Sequence, residues 1–232
     1  KPRQTGHHAA MSKKPLDGRI ALVTGASRGI GAASALWLAQ RGAHVVAVAR
    51  TVGGLEDLDD RIQAAGGSAT LAPMDITDEN ALAHLCRSLH ERWGRADIWV
   101  HAAIHVTALT PAGHIRAKDL DANIATNIRA LARAIALIEP LIAASDDATA
   151  LFFDDTRIEK KFAGAYALSK AAGRALIQSW QAETARHGPA VLKPAPMPTA
   201  TRARFHPGED RGPLADPMAE ADRLLDVLLP RG

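Results

Sequence analysis

Six short apolar runs, spaced by longer amphipathic stretches, constrain this chain more than any other feature of its sequence. RIALVT (19–24), HVVAVA (44–49), SATLAP (68–73), ADIWVHA (96–102), ATALFF (148–153) and PAVLK (189–193) are apolar on both faces. That character predicts strands of a sheet covered on both sides. Helical patterns fall between them, at about 29–41, 55–65, 78–93, 119–144, 163–187 and 216–229; in the first, Ala35, Leu38, Ala39 and Gly42 recur at helical spacing. Strand alternating with helix predicts right-handed crossovers and a doubly wound parallel α/β sheet with helices on both faces. No repeat of fixed period and no Ser/Gly linker divides the 232 residues, so one domain at 15–232 is expected after a basic tail at 1–14. Pro140 lies inside the fourth helical pattern and predicts a kink or break there. His105–Lys118 reads as a loop, and 194–217 holds six prolines, too many for a regular helix. Both segments follow the carboxyl ends of strands, where open α/β sheets place their ligands.

The first predicted strand runs into Thr24-Gly25-Ala26-Ser27-Arg28-Gly29-Ile30-Gly31 and then a helix. Glycines in that context let the backbone turn sharply and approach a pyrophosphate, whose charge the helix amino end stabilises. A Rossmann-like, dinucleotide-binding unit is the expectation, with Gly25, Ser27, Arg28, Gly29, Ile30 and Gly31 around the cofactor.

TGASRGIG resembles the TGxxxGIG fingerprint of the short-chain dehydrogenase/reductase family, and the likeness extends from Asp17 nearly to the end of the chain. Tyr166-Ala167-Leu168-Ser169-Lys170 is similar to that family's YxxxK pair, and Asn127 falls where the family keeps a helical Asn. The resemblance implies further that Asp75 contacts adenine, that Ala102 and Lys170 lie at the cofactor, and that PAPMPT (194–199), ending in Thr199, closes over nicotinamide. It implies an oxidoreductase acting on a small carbonyl or alcohol substrate, in a homodimer or homotetramer built through the 119–144 and 163–180 helices. Burial within one subunit would explain the same Ala- and Leu-rich pattern. Where an NAD site usually carries a carboxylate after the second strand, this chain has Ala49 and then Arg50. A guanidinium there, with Arg28 as a second cation, favours the 2′-phosphate of NADP; the other reading is that both are solvated surface residues.

Tyr166 and Lys170 stand four residues apart, so both can point from one helix face. A free phenol is too weak an acid–base group at neutral pH, and a nearby ammonium favours its phenolate. By resemblance, Asn127 holds a water that relays protons to the Lys. The family's Ser before the Tyr is missing: counting back reaches Phe153, then Asp154, Asp155 and Thr156. Three readings stay open. Asp154 or Asp155 replaces the Ser, Thr156 does so, or the site is catalytically weak and the chain is an NADP-binding sensor or oligomer partner. The NNAG segment appears as His101-Ala102-Ala103-Ile104, and Ala195 replaces the Gly of PGxxxT. His101 and His105 either meet substrate or make loop and buried hydrogen bonds. Arg202, Arg204 and His206 form a cationic set that selects an anionic substrate or faces solvent.

Composition narrows the partners. The pI is about 9.2, yet residues 1–14 hold four of the 28 basic residues and no acidic one, leaving 24 against 25 in the rest. The body is therefore close to neutral, and with no aromatic platform beside the cations nucleic acid is not expected. The 1–10 stretch before Met11 reads as foreign to the natural protein, or else as a natural tail. No apolar run approaches the roughly 18 residues of a membrane span. Cys86, the one cysteine, excludes an intrachain disulfide and points to a reducing, cytoplasmic setting. Its place in an amphipathic helix reads as packing. No metal is expected, since the ten His residues form no HExxH or paired Cys/His spacing.

Overall fold

The computed structural model describes residues 13–155, 161–184 and 189–229. Its strands are β1 (Ile20–Thr24), β2 (His44–Ala49), β3 (Ser68–Pro73), β4 (Ile98–His101), β5 (Thr149–Phe153) and β6 (Ala190–Leu192), each inside one of the apolar runs. All neighbours pair in parallel, in the order β3-β2-β1-β4-β5-β6. The order reverses between β1 and β4, which opens a crevice at their carboxyl ends.

Alternating side chains serve two cores. Ala21, Val23, Val45, Ala47, Ile98 and Val100 face α1 (Gly29–Gln40), α2 (Val52–Ala64) and α8 (Pro217–Leu225). Leu22, Val46, Val48, Trp99 and Phe152 face α3 (Glu79–Trp93), α5 (Leu131–Ala143) and α6 (Gly164–Glu183). Helix α1 is apolar all round, with every residue from Gly31 to Ala39 buried. Its outer side is covered by α8, where Asp222 accepts from Trp37 Nε1 at 2.7 Å and from Arg41 at 2.9 Å. Asp216 starts α8 by accepting from the backbone N–H groups of Met218 and Ala219, with Pro217 at the first helical position.

Two expectations need correction. The fourth helical pattern is not interrupted at Pro140: α5 runs on to Ala143, because a proline in the last turn removes only one hydrogen bond near the end. The irregularity lies upstream, where α4 (Ala117–Ile124) enters α5 through a π-helical turn at Ala125–Ala130 that contains Asn127. The proline-rich 194–217 segment does hold a helix, α7 (Ala200–Phe205), fitted between Pro198 and Pro207 and capped by Thr199, whose side chain accepts from the N–H of Arg202. Among the described residues no helix is long and apolar enough to cross a membrane.

Buried Asp97 ties the base of the sheet together. It accepts from the N–H of Ile20 at 2.8 Å, Arg95 Nε at 2.9 Å and Ser145 Oγ at 2.7 Å. Burial alone would raise its pKa, but these donors outweigh it and hold the carboxyl below the ordinary 3.8. Asp97→Ala should destabilise the domain by about 3 kcal/mol, measured by urea unfolding, because three donors lose their acceptor. A depressed folded pKa contributes stability that is full above the unfolded value and lost as pH falls through the folded one. The wild type should therefore lose more stability than Asp97→Ala as pH drops below about 4.

Candidate active site

A cavity of about 490 Å³ runs along the carboxyl ends of the strands. At its floor the turn after β1 packs backbone against backbone. A Cβ on Gly25, which has φ +80, would lie 2.5 Å from the Ala102 carbonyl carbon, and one on Gly31 would lie 2.2 Å from the Gly25 oxygen. Helix α1 starts at this turn with no side-chain cap and no acidic residue in its first turn, so its leading N–H groups are left for a ligand. Ser27, Arg28, Gly29 and Ile30 line the cavity here, and Thr199 stands over Gly29, 3.3 Å from where its Cβ would be. Arg50 and Asp75 line the far end, 3.7 Å apart, both partly exposed. Burial would raise the Asp75 carboxyl, but the Thr77 N–H and hydroxyl, with Arg50, hold it below its usual range.

At the other end Tyr166 and Lys170 enter the cavity from one face of α6. The Tyr166 hydroxyl donates to Asp155 Oδ2 at 2.8 Å, and Lys170 Nζ donates to the Phe153 carbonyl at 2.5 Å. Burial pushes the lysine's pKa down, Asp154 and Asp155 pull it up, and Arg174 adds to the lowering. Of the described candidates for the missing serine, Asp154 and Asp155, it is Asp155 that meets the tyrosine. Asp154 lines the same cavity but accepts from Arg174 at 3.3 Å and from the N–H of Asp155 at 2.8 Å. Thr156 lies outside the described residues.

Asn127 grips the backbone of the loop after β4, accepting from the N–H of His105 and donating to its carbonyl, both at 2.8 Å. It also donates to Ser169 Oγ at 2.9 Å, and Ser169 in turn donates to the Tyr166 carbonyl at 2.8 Å. Sequence reasoning did not single out Ser169; its place beside Lys170 in the YALSK segment was the available signal. It also missed Phe205, whose ring centroid sits 5.0 Å from that of Tyr166 because α7 folds back over the site. The cationic set divides: Arg202 is held by Glu209 at 2.5 and 2.6 Å, while Arg204 lines the cavity and donates to the Val106 carbonyl at 2.7 Å. Ala195 is fixed from α8 by Glu220, which accepts from its N–H at 2.6 Å. Among the described residues no group of three or more His, Cys, Asp or Glu is placed to hold a metal ion.

A doubly wound sheet with a glycine turn at the switch point and a Tyr–Lys pair beside it defines a dinucleotide-type oxidoreductase fold. The sequence matches the short chain dehydrogenase family over residues 19–211. It is 32% identical over 191 residues to glycine betaine reductase ATRR of Emericella nidulans, covering 82% of this chain but only 15% of that much longer protein. It is 31% identical over 173 residues to an uncharacterized oxidoreductase, Lmo0432, of Listeria monocytogenes, covering 73% of this chain and 69% of that protein. The fold is similar to a metagenomic short-chain oxidoreductase solved in complex with NADP, with TM-score 0.78 and 28% identity over 94% of this chain and 93% of the other. The chain belongs to the short-chain dehydrogenase/reductase family of oxidoreductases.

His101 gives the site a measurable signature. Its Nδ1 lies 2.8 Å from Thr24 Oγ1, and burial, with Lys170 nearby, pushes the imidazole down to about 3. Between the ordinary 6.5 and that value the unfolded chain binds a proton that the native state refuses. Stability should fall as pH drops through that window, and His101→Asn should flatten the slope in pH-dependent urea unfolding.

Proposed function

We propose that the protein is an NADP-dependent oxidoreductase that moves hydride between nicotinamide and a small carbonyl or alcohol substrate. The observation that carries this reading is the single cavity that joins the uncapped start of α1 to Tyr166 and Lys170. The residues present fit a dinucleotide: the α1 N–H groups would hold its pyrophosphate, Arg28 and Arg50 its 2′-phosphate, Asp75 its adenine, and Ala102, Lys170 and Thr199 its nicotinamide half. The bound nicotinamide supplies or accepts the hydride. Tyr166 gives a proton to the substrate oxygen in reduction and takes it back in oxidation. Lys170, anchored on the Phe153 carbonyl, places a positive charge behind the phenol, and Asn127 holds the loop that walls the substrate side. By the family resemblance, a homodimer or homotetramer would form through helix α6.

NADPH should raise the melting temperature and be oxidised with members of a carbonyl panel, and Tyr166→Phe should cut kcat by at least about 100-fold. Binding without turnover would instead favour an NADP-binding sensor or oligomer partner, a reading that the tyrosine's bond to Asp155 keeps in play. Arg50→Asp should shift the kcat/KM ratio toward NADH by at least about tenfold, since it removes a phosphate partner and adds repulsion. Unchanged ratios would remove Arg50 from the cofactor site.

A further inference from the structure

We propose that Glu220 is a positioning residue for the cofactor: from α8 it holds the 194–199 segment over the start of α1 before NADPH arrives. The inference rests on the cofactor assignment proposed above. Its basis is the carboxylate of Glu220, 3% exposed and outside the cavity lining, which accepts from the N–H of Ala195 at 2.6 Å.

The segment and the glycine turn meet at one end of the cavity. Pro194, Met197 and Thr199 line it together with Gly25, Gly29 and Gly31, and Thr199 reaches 3.3 Å from where a Cβ on Gly29 would lie. Prolines 194, 196 and 198 carry no N–H, so Ala195, Met197 and Thr199 hold all the backbone donors of the segment. The N–H of Thr199 turns inward to the Met197 carbonyl at 2.7 Å, and that of Ala195 goes to Glu220. Two more ties run from the same stretch of chain. The N–H of Ala215 donates to the Pro196 carbonyl at 2.9 Å. Arg223 donates to the two Glu220 oxygens at 2.5 and 3.0 Å and to the Lys193 carbonyl at 3.2 Å. Two residues beyond Glu220, Asp222 grips α1 through Trp37 and Arg41. One helix therefore sets the spacing between α1 and the segment that stands over its amino end. A loop ordered in the free protein loses little conformational freedom when its ligand binds, which raises affinity and slows release. An alanine at 220 would leave the Ala195 N–H without its charged acceptor and Arg223 without its carboxylate.

Hydrogen exchange of the free full chain reads the clamp directly. The Ala195 amide should exchange at least about tenfold more slowly than an open chain, and E220A should remove that protection. Titration with NADPH, followed by its fluorescence, should give E220A a Kd at least about tenfold higher, with faster NADPH release in stopped flow. E220Q, whose side-chain oxygen can still accept from Ala195, should recover most of both losses. A residue that merely stabilises α8 would lower the melting temperature of E220A and leave its NADPH Kd, measured well below that temperature, unchanged. That result overturns the proposal, as does an unprotected Ala195 amide in the free wild type. Where E220A fails to fold, R223A at its exposed site takes its place: the Kd should rise about threefold, and an unchanged value overturns the proposal. NADPH binding without turnover removes the oxidoreductase reading alone, because the Kd comparison still decides this one. A wild type that does not bind NADPH removes both.

Discussion

Backbone meets backbone where β1 ends, and the rest of the site is arranged around that contact. Gly25 and Gly31 bring the turn, the start of α1 and the Ala102 peptide so close that a single Cβ at either glycine would have to displace main chain. The parallel register pairs Thr24 with both Val48 and His101, which sets the ends of β1, β2 and β4 level. Because the sheet order reverses here, helices leave on opposite faces and a crevice opens between them. The burial of α1 under α8 holds its amino end in that crevice; a surface helix with one apolar stripe would lack this second anchor.

The tyrosine side of the cavity depends on a different device. A π-helical turn leads from α4 into α5, and such turns recur at functional sites because they redirect side chains at the expense of regular hydrogen bonding. Here Asn127 reaches the His105 backbone and Ser169 together, so the loop after β4 and helix α6 share one polar joint. A second contact closes the same loop from the other side, where the N–H of Thr110 donates to the Phe162 carbonyl at 2.7 Å. Phe162 holds φ +67, an unfavourable backbone for a bulky residue, within one turn of the start of α6. Helix α7 then lays Phe205 on Tyr166, and Arg204 ties it to Val106.

Membership of the family and divergence within it are both visible in the wall of this cavity. The glycine turn and the Tyr–Lys spacing match the family pattern residue by residue. A carboxylate meets the tyrosine hydroxyl, the last residue of β4 is the buried neutral imidazole of His101, and the segment before Thr199 has lost its glycine. These changes alter charge and shape at the tyrosine end and leave the glycine end intact.

Much of this was legible in the residues themselves. Every strand lies inside an apolar run, because a doubly covered parallel sheet demands apolar side chains on both faces and turns mark its ends. Gly25, Gly29 and Gly31, and the spacing of Tyr166 and Lys170, are local facts that survive without coordinates. Local patterns failed where distant segments set the outcome. Pro140 looked like the breaker of its helix, yet the distortion sits at 125–130, where the helix must serve both His105 and Ser169. The prolines of 194–217 hid α7, whose docking depends on Phe205 finding Tyr166. Asp154 and Asp155 are equivalent as letters in the sequence; the way β5 ends turns one toward Arg174 and the other toward the tyrosine. The sequence by itself determined the fold, the family and the turn at the switch point, all of which follow from short-range pattern and steric need. The tertiary structure alone decided which carboxylate faces the phenol, because that choice is made by contacts between residues far apart in the chain.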